Sequence, residues 1–408
     1  MKLFLAAILL VATAVPASAD FENLGRQVLG PRDGWGAGTT GGSTATRDHV
    51  YTVHNRSQLV TALTGDTPKI VYVAGTVDGN SPMTCDQYAD PGYSLAAYLK
   101  QYDPATWGTA PVTGPLEEAR ARSQANQQAR VVIPVGANTT IVGLGDDATL
   151  RGVNLMVRSD NVIIRNLRFE DAYDCFPQWD PNDGATGNWN SEYDNLTLMG
   201  ATHVWVDHCE FSDGATTELP TYFGHRWEVH DGLFDMVNGT DLVTATYNYL
   251  HDHDKSMLLG NTDKPTYDVG KLRITLHHNM FENLGQRAPR VRYGQVHVYN
   301  NLYVIPDSAQ YSYSLGVGVE SRIYAENNFF ETANVNPSTI VHYWKGTAIH
   351  ATGTIVNRRP VDLVAAYNRD FDPDLATDVG WQPTLVTHVD PTIAVPRLVR
   401  DRAGVGRN

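Results

Sequence analysis

The sequence predicts an all-β chain wound as a parallel β-helix, and three observations carry that prediction. Six short runs rich in β-branched and aromatic residues superimpose: 162–169, 204–211, 243–250, 274–281, 296–303 and 323–330. Their starts are 42, 39, 31, 22 and 27 residues apart. The shortest interval suits one coil of a solenoid, and the longer ones imply loops inserted into a coil. The sixth position holds Asn248, Asn279, Asn301 and Asn328 in four consecutive runs. Asparagines stacked at an inward turn can satisfy one another's amides, which would otherwise be costly to bury. The segments between runs lack the roughly 10–15-residue helical pattern that a βαβ sheet requires.

Taken in order, the chain opens with a secretory signal over residues 1–19. Lys2 supplies the positive region, 3–15 the apolar segment, and Ala17-Ser18-Ala19 a small-residue cleavage site. The mature protein is expected to start at Asp20 and to be secreted to the extracellular space. Gly34-Trp35-Gly36 and Gly41-Gly42 form a glycine-rich loop without the strand–turn–helix setting of a phosphate cradle. A short helix is predicted over 57–63 and a strand over 69–73. Residues 80–128 read as an insertion carrying an amphipathic helix at 115–130. Glu117 and Glu118 lie near its start and Arg120, Arg122 and Arg130 later, as the helix dipole favours; these charges read as a solvated face. Beyond 355 the repeat fades, and 361–408, with four prolines, is predicted to wrap back as a loop-rich tail. Residues 20–408 then form a single domain.

The totals narrow the function. A chain of 408 residues can bury a sizeable core. No apolar run after the N-terminus approaches the roughly 20 residues that span a bilayer. A net charge of −14 argues against nucleic acid and anionic membrane as partners. Cys85, Cys175 and Cys209 allow one disulfide and one free thiol, with the pairing open and no metal spacing among them. A monomer is expected.

Chemistry concentrates around Arg287-Ala-Pro-Arg-Val-Arg292, with Lys255 and the aspartates Asp194, Asp231 and Asp235 upstream, each beside a strand-like run. In a parallel β-helix, residues ending neighbouring coils lie about 4.8 Å apart, so these side chains can converge. Three carboxylates with no thiolate nearby suit a hard ion, calcium first, with water and substrate carboxylates completing its shell. The blander reading is a salt-bridged surface. His208 reads as a structural histidine, and His251, His253, His277 and His278 have no zinc-like spacing. Trp179, Trp189 and Tyr222 suit either a sugar-binding cleft or the core.

These pieces resemble the bacterial pectate lyases of polysaccharide lyase family 1. The resemblance runs from about residue 30 to 335. It rests on Trp179-Asp-Pro, Asn188-Trp-Asn-Ser-Glu-Tyr-Asp194, Val204-Trp-Val-Asp-His208, His230-Asp-Gly-Leu-Phe-Asp235, His253-Asp-Lys255 and Gln286-Arg-Ala-Pro-Arg-Val-Arg292. It implies a right-handed parallel β-helix and calcium-dependent β-elimination of α-1,4-polygalacturonate, giving 4,5-unsaturated oligogalacturonates. Carried over motif by motif, Asp194, Asp231 and Asp235 are the expected calcium ligands. Arg287 is the expected base at C5, and Lys255 and Arg292 bind the substrate carboxylate. An arginine base, with an intrinsic pKa above about 12, implies an alkaline optimum; Lys255 is the fallback base. The rivals are a pectin lyase acting on methylated chains, a β-helix glycoside hydrolase using paired carboxylates, and a non-catalytic wall-binding solenoid.

Overall fold

Alternation along each run decides what the coil encloses. In a computed structural model, which describes residues 19–216 and 218–407, the six runs stack side by side in the expected register. Val162, Val204, Val243, Ile274, Val296 and Ile323 pair in sequence, and Ile349 adds a seventh rung. These first positions, and the third positions such as Ile164, Val206 and Leu276, point inward and are fully buried. Each such aliphatic side chain contributes on the order of 1.5–3 kcal/mol by leaving water. Of the expected signal, 1–19, residues 1–18 lie outside the described residues.

The chain turns a corner at the fifth position of every run. Asn166, His208, Tyr247, His278, Asn300 and Asn327 all have φ between 49° and 55°. Left-handed backbone is unfavourable for residues with a Cβ, and Asn tolerates it better than most. His208 and His278 recover some of that strain by stacking on Tyr247, with ring centres 5.0 and 4.9 Å away. The sixth position then points inward as the asparagine ladder. Asn248 donates to Asn279 at 3.0 Å, Asn279 to Asn301 at 3.0 Å, and Asn301 to Asn328 at 3.1 Å. Cys209 occupies this column one coil earlier, buried and unpaired, its backbone N–H donating to Asn248 Oδ1 at 2.9 Å. At the eighth position, Phe281, Tyr303 and Phe330 stack.

Most strands gather in a sheet of eighteen and a sheet of eight, whose strands pair in parallel except for Ile355–Val356 with Arg359–Pro360; two separate antiparallel strand pairs lie outside them. The larger sheet bends round the coil because the long strand Thr139–Arg151 pairs first with Val162–Arg165 and then with Arg168–Glu170. The smaller sheet forms the remaining face. Its strands include Asn154–Val157, Leu196–Met199, Phe234–Val237, Leu258–Leu259, Arg290–Val291, Leu315–Gly318 and Val341–Trp344. The glycine-rich N-terminal loop straps the outside: Trp35 N–H donates to Thr275 Oγ1 and Gly36 N–H to Thr244 Oγ1.

Two expectations need correction, and two alternatives left open are resolved. The helix Pro115–Val131 does not carry only a solvated face. Glu117 and Arg120 are buried and bond each other at 2.9 Å, and Arg120 also donates to the Phe176 carbonyl. That helix packs under the segment tied down by the Cys85–Cys175 disulfide, a pairing the sequence left open. The tail returns along the coils, as Gly404 N–H to Tyr247 O shows, but it holds two helices, Leu363–Asp370 and Val395–Arg402. Trp179 and Trp189 are 1% and 0% exposed and pack with Tyr98 and Tyr102, so they build a core and do not line a cleft.

Candidate active site

The smaller sheet and the corner preceding it bring the expected residues together. Asp194 ends the loop before Leu196–Met199, and Asp235 lies within Phe234–Val237. Both line one cavity of about 610 Å³ with Asp231, Glu192 and Thr197. Asp194 accepts from Gly232 N–H at 2.9 Å and from the Thr197 hydroxyl at 2.6 Å; Asp235 accepts from Leu258 N–H at 2.9 Å. Gly232 shows how close the two acids come. A Cβ there would lie 2.7 Å from Asp235 Oδ1 and 2.8 Å from Asp194 Oδ1.

Such crowding has an electrostatic signature. Burial and the neighbouring Asp231 push the Asp194 carboxyl up to about 7. Burial, Asp194 and Asp231 raise Asp235 well above the ordinary carboxylate range. Like charges sharing a low-dielectric site cannot all ionise without a compensating cation. Among the described residues, no three His, Cys, Asp or Glu side chains form a metal cage by themselves. The donor set therefore fits a hard divalent ion only with further oxygens from water or substrate.

Cations face these acids from the next coils. Lys255 ends the strand Tyr249–Lys255 and lies 3.2 Å from Asp231 Oδ1. Burial lowers its pKa, but Asp231 and Glu228 outweigh that and the net shift is upward. Lys255 thus stays an ammonium, which weakens it as the fallback base. Arg287 follows the strand Met280–Gln286 at φ 61°, and the Ser256 hydroxyl holds its carbonyl at 2.8 Å. Its guanidinium is near enough to influence Asp235, Lys255 and Tyr313. Arg292 is buried and paired with Asp263 at 2.7 Å, while its Nη1 donates to Gly260 O. Its expected role therefore has a protein carboxylate already competing for it.

Sequence reading assigned several supporting residues no role at the site, although His253 and Gly232 fall within its motifs. His253 bonds the Asp213 carboxylate through Nδ1 and the Asp231 carbonyl through Nε2, both at 2.8 Å. Burial lowers its pKa, but Asp213 outweighs that and the net shift is upward. His253 ties the Asp231 backbone to the strand bearing Lys255. Gly232, Thr197 and Ser256 each sit within three residues of an expected site residue, which was the one signal available.

Comparison with known proteins places the chain in a family. A family profile described as pectate lyase matches residues 110–367. The chain is 49% identical to a pectate lyase of Bacillus subtilis (strain 168) over 424 residues, covering 100% of both. It is 34% identical to pectate lyase A of Dickeya chrysanthemi, covering 92% of this chain and 88% of that one. Among solved structures, a pectate lyase bound to hexasaccharide superposes with a TM-score of 0.91 at 49% identity, over 94% of this chain and 99% of that one.

Proposed function

The chain belongs to the pectate lyase family, and on that premise we propose that this polysaccharide lyase cleaves polygalacturonate by calcium-dependent β-elimination after secretion from the cell. In this reading Asp194, Asp231 and Asp235 hold the ion. Calcium, when bound, would neutralise the substrate carboxylate that otherwise opposes a second negative charge at C5. Lys255 and Arg292 orient that carboxylate and meet charge developing on it. Arg287 takes the C5 proton. The electron pair forms the C4–C5 double bond, and the C4–O bond breaks with its electrons on the departing oxygen.

The observation that best supports this reading is the convergence of two buried carboxylates on Gly232, with Arg287 in electrostatic reach of one of them. Three acids at one cavity favour pectate over fully methylated pectin, which offers no charge for a bridging ion to neutralise. Arginine keeps its proton below about pH 12 in water, so activity should climb into the alkaline range. The test is Arg287→Lys. Loss of a proton-transferring group typically costs about 10²–10⁴-fold in turnover. A fall of that size in kcat, with KM little changed, fits; near-normal turnover transfers the role to another base.

A further inference from the structure

Two of the motifs carry a histidine beside a site residue, and the proposed reaction uses neither ring. His230 directly precedes Asp231, and His253 lies shortly before Lys255. Both are buried, at 2% and 6% exposed. They belong to one array of alternating acids and imidazoles behind the carboxylate cluster.

The coil repeat supplies the acids. The strand Arg168–Glu170 pairs with Glu210–Ser212, with Glu170 opposite Ser212. The residues that follow, Asp171 and Asp213, therefore leave neighbouring coils at the same corner. Asp171 Oδ1 lies 2.9 Å from His230 Nε2. Asp213 stands between the two rings: its Oδ1 is 2.8 Å from His253 Nδ1 and its Oδ2 is 3.4 Å from His230 Nδ1. Burial pushes the Asp213 carboxyl up, but His253 and His230 outweigh it and hold it below the usual carboxylate range.

The far nitrogen of His253 carries the consequence. Its Nε2 lies 2.8 Å from the Asp231 carbonyl oxygen and 3.1 Å from that of Lys255. Carbonyl oxygens only accept, so Nε2 holds a proton and donates to both. One ring thus fixes the backbone of an acid and of the cation facing it. Asp231 needs such a hold. Its side chain is 38% exposed and pairs with Lys255 at 3.2 Å. Asp194 and Asp235, by contrast, are buried and accept from backbone N–H groups. A ligand that has to be ordered when the ion binds lowers the affinity.

We infer that His253, anchored by Asp213, is a positioning residue that preorganises Asp231 for calcium and Lys255 for the substrate carboxylate. It acts only through these two residues. This role rests on the pectate lyase reading above and deepens it, separating the groups that bind the ion from the group that holds one of them in place. Because calcium can itself order a loosened ligand, excess ion should cure the defect.

The test measures calcium affinity by calorimetry, and turnover of polygalacturonate against calcium, for the wild type, His253→Phe, His253→Gln, Asp213→Asn and Asn301→Ala. Losing the bond to the Asp231 carbonyl should weaken calcium binding about tenfold in His253→Phe, the effect of one buried hydrogen bond. Its kcat at saturating calcium should return close to the wild-type value. His253→Gln keeps a donor for that carbonyl and should recover part of the affinity. Asn301→Ala weakens the coil elsewhere and should leave calcium affinity unchanged, which separates positioning from general loosening. Calcium affinity of His253→Phe within about twofold of wild type overturns the role. So does a loss of kcat that excess calcium does not restore, or an equal loss of affinity in Asn301→Ala. If His253→Phe does not fold, Asp213→Asn decides: it keeps the shape and removes the charge that anchors the ring. A weakened affinity that excess calcium offsets then supports the role, and an unchanged one overturns it. A wild type that binds no calcium and releases no unsaturated product sinks the pectate lyase reading instead.

Discussion

Replacing Gly232 by alanine isolates the carboxylate cluster from the rest of the fold. The added methyl would stand 2.7 Å from Asp235 Oδ1, 2.8 Å from Asp194 Oδ1 and 3.0 Å from Asp235 Cγ, all shorter than van der Waals contact. Gly232 is not among the left-handed glycines, so the effect is steric and adds no backbone strain. Overpacking of this kind typically costs about 1–3 kcal/mol. The carboxylates can relieve it by swinging into the open cavity, which spares the calcium-free fold and spoils the ion site. Carried over to binding, that strain lowers calcium affinity by roughly tenfold to a hundredfold, at about 1.4 kcal/mol per factor of ten. Calorimetric titration of calcium reads the affinity, and urea unfolding in chelator reads the fold. Affinity within about twofold of wild type would refute the idea that the ion sits between Asp194 and Asp235. A calcium-free protein destabilised by the full amount would show that the crowding is structural.

Other expectations follow from the coil and its buried charges. Asn301→Ala removes the acceptor for both the backbone and side-chain N–H groups of Asn279, at 2.9 and 3.0 Å. At about 1–3 kcal/mol per stranded buried group, urea unfolding should show a loss of at least about 2 kcal/mol; a loss below about 1 kcal/mol would mean that the ladder is ornamental. Burial pushes the Asp207 carboxyl up, but His208, Arg165 and Thr246 outweigh it and hold it at about 2. A pKa depressed by folding stabilises the protein above the unfolded value, near 4, and that stability disappears as pH falls from about 4 to 2. The contribution is on the order of 2–3 kcal/mol, and Asp207→Asn should flatten this acid limb in stability-against-pH curves. An unchanged limb would place the acid sensitivity elsewhere. Arg287→Lys should lose turnover while keeping calcium affinity, since Arg287 is not one of the proposed ion ligands.

Much of this was legible because the repeat is local. Each run carries its own alternation and corner residue, and four carry the inward asparagine, so the six runs align on one another and the pairing of Val204 with Val243 follows. The candidate site residues stood out as motifs. What hid was whatever depends on contacts between distant segments. The strands Leu258–Leu259 and Arg290–Val291 are two residues long, too short to show alternation, so the sheet that carries the groove had no signal of its own. Glu117 and Arg120 look solvated on a helical wheel; only the disulfide-tethered lobe over that helix makes them a buried pair. Arg292 looked free for substrate because Asp263 lies on a loop with no strand to announce it.

The central claim is that Asp194, Asp231, Asp235 and Arg287 work as one lyase centre. The most direct measurement digests polygalacturonate with added calcium and with chelator, following ultraviolet absorbance and reducing ends together. The account predicts that both signals rise in step with calcium and that neither rises in chelator. Reducing ends without the absorbance of an unsaturated uronate, or full activity in chelator, would contradict it.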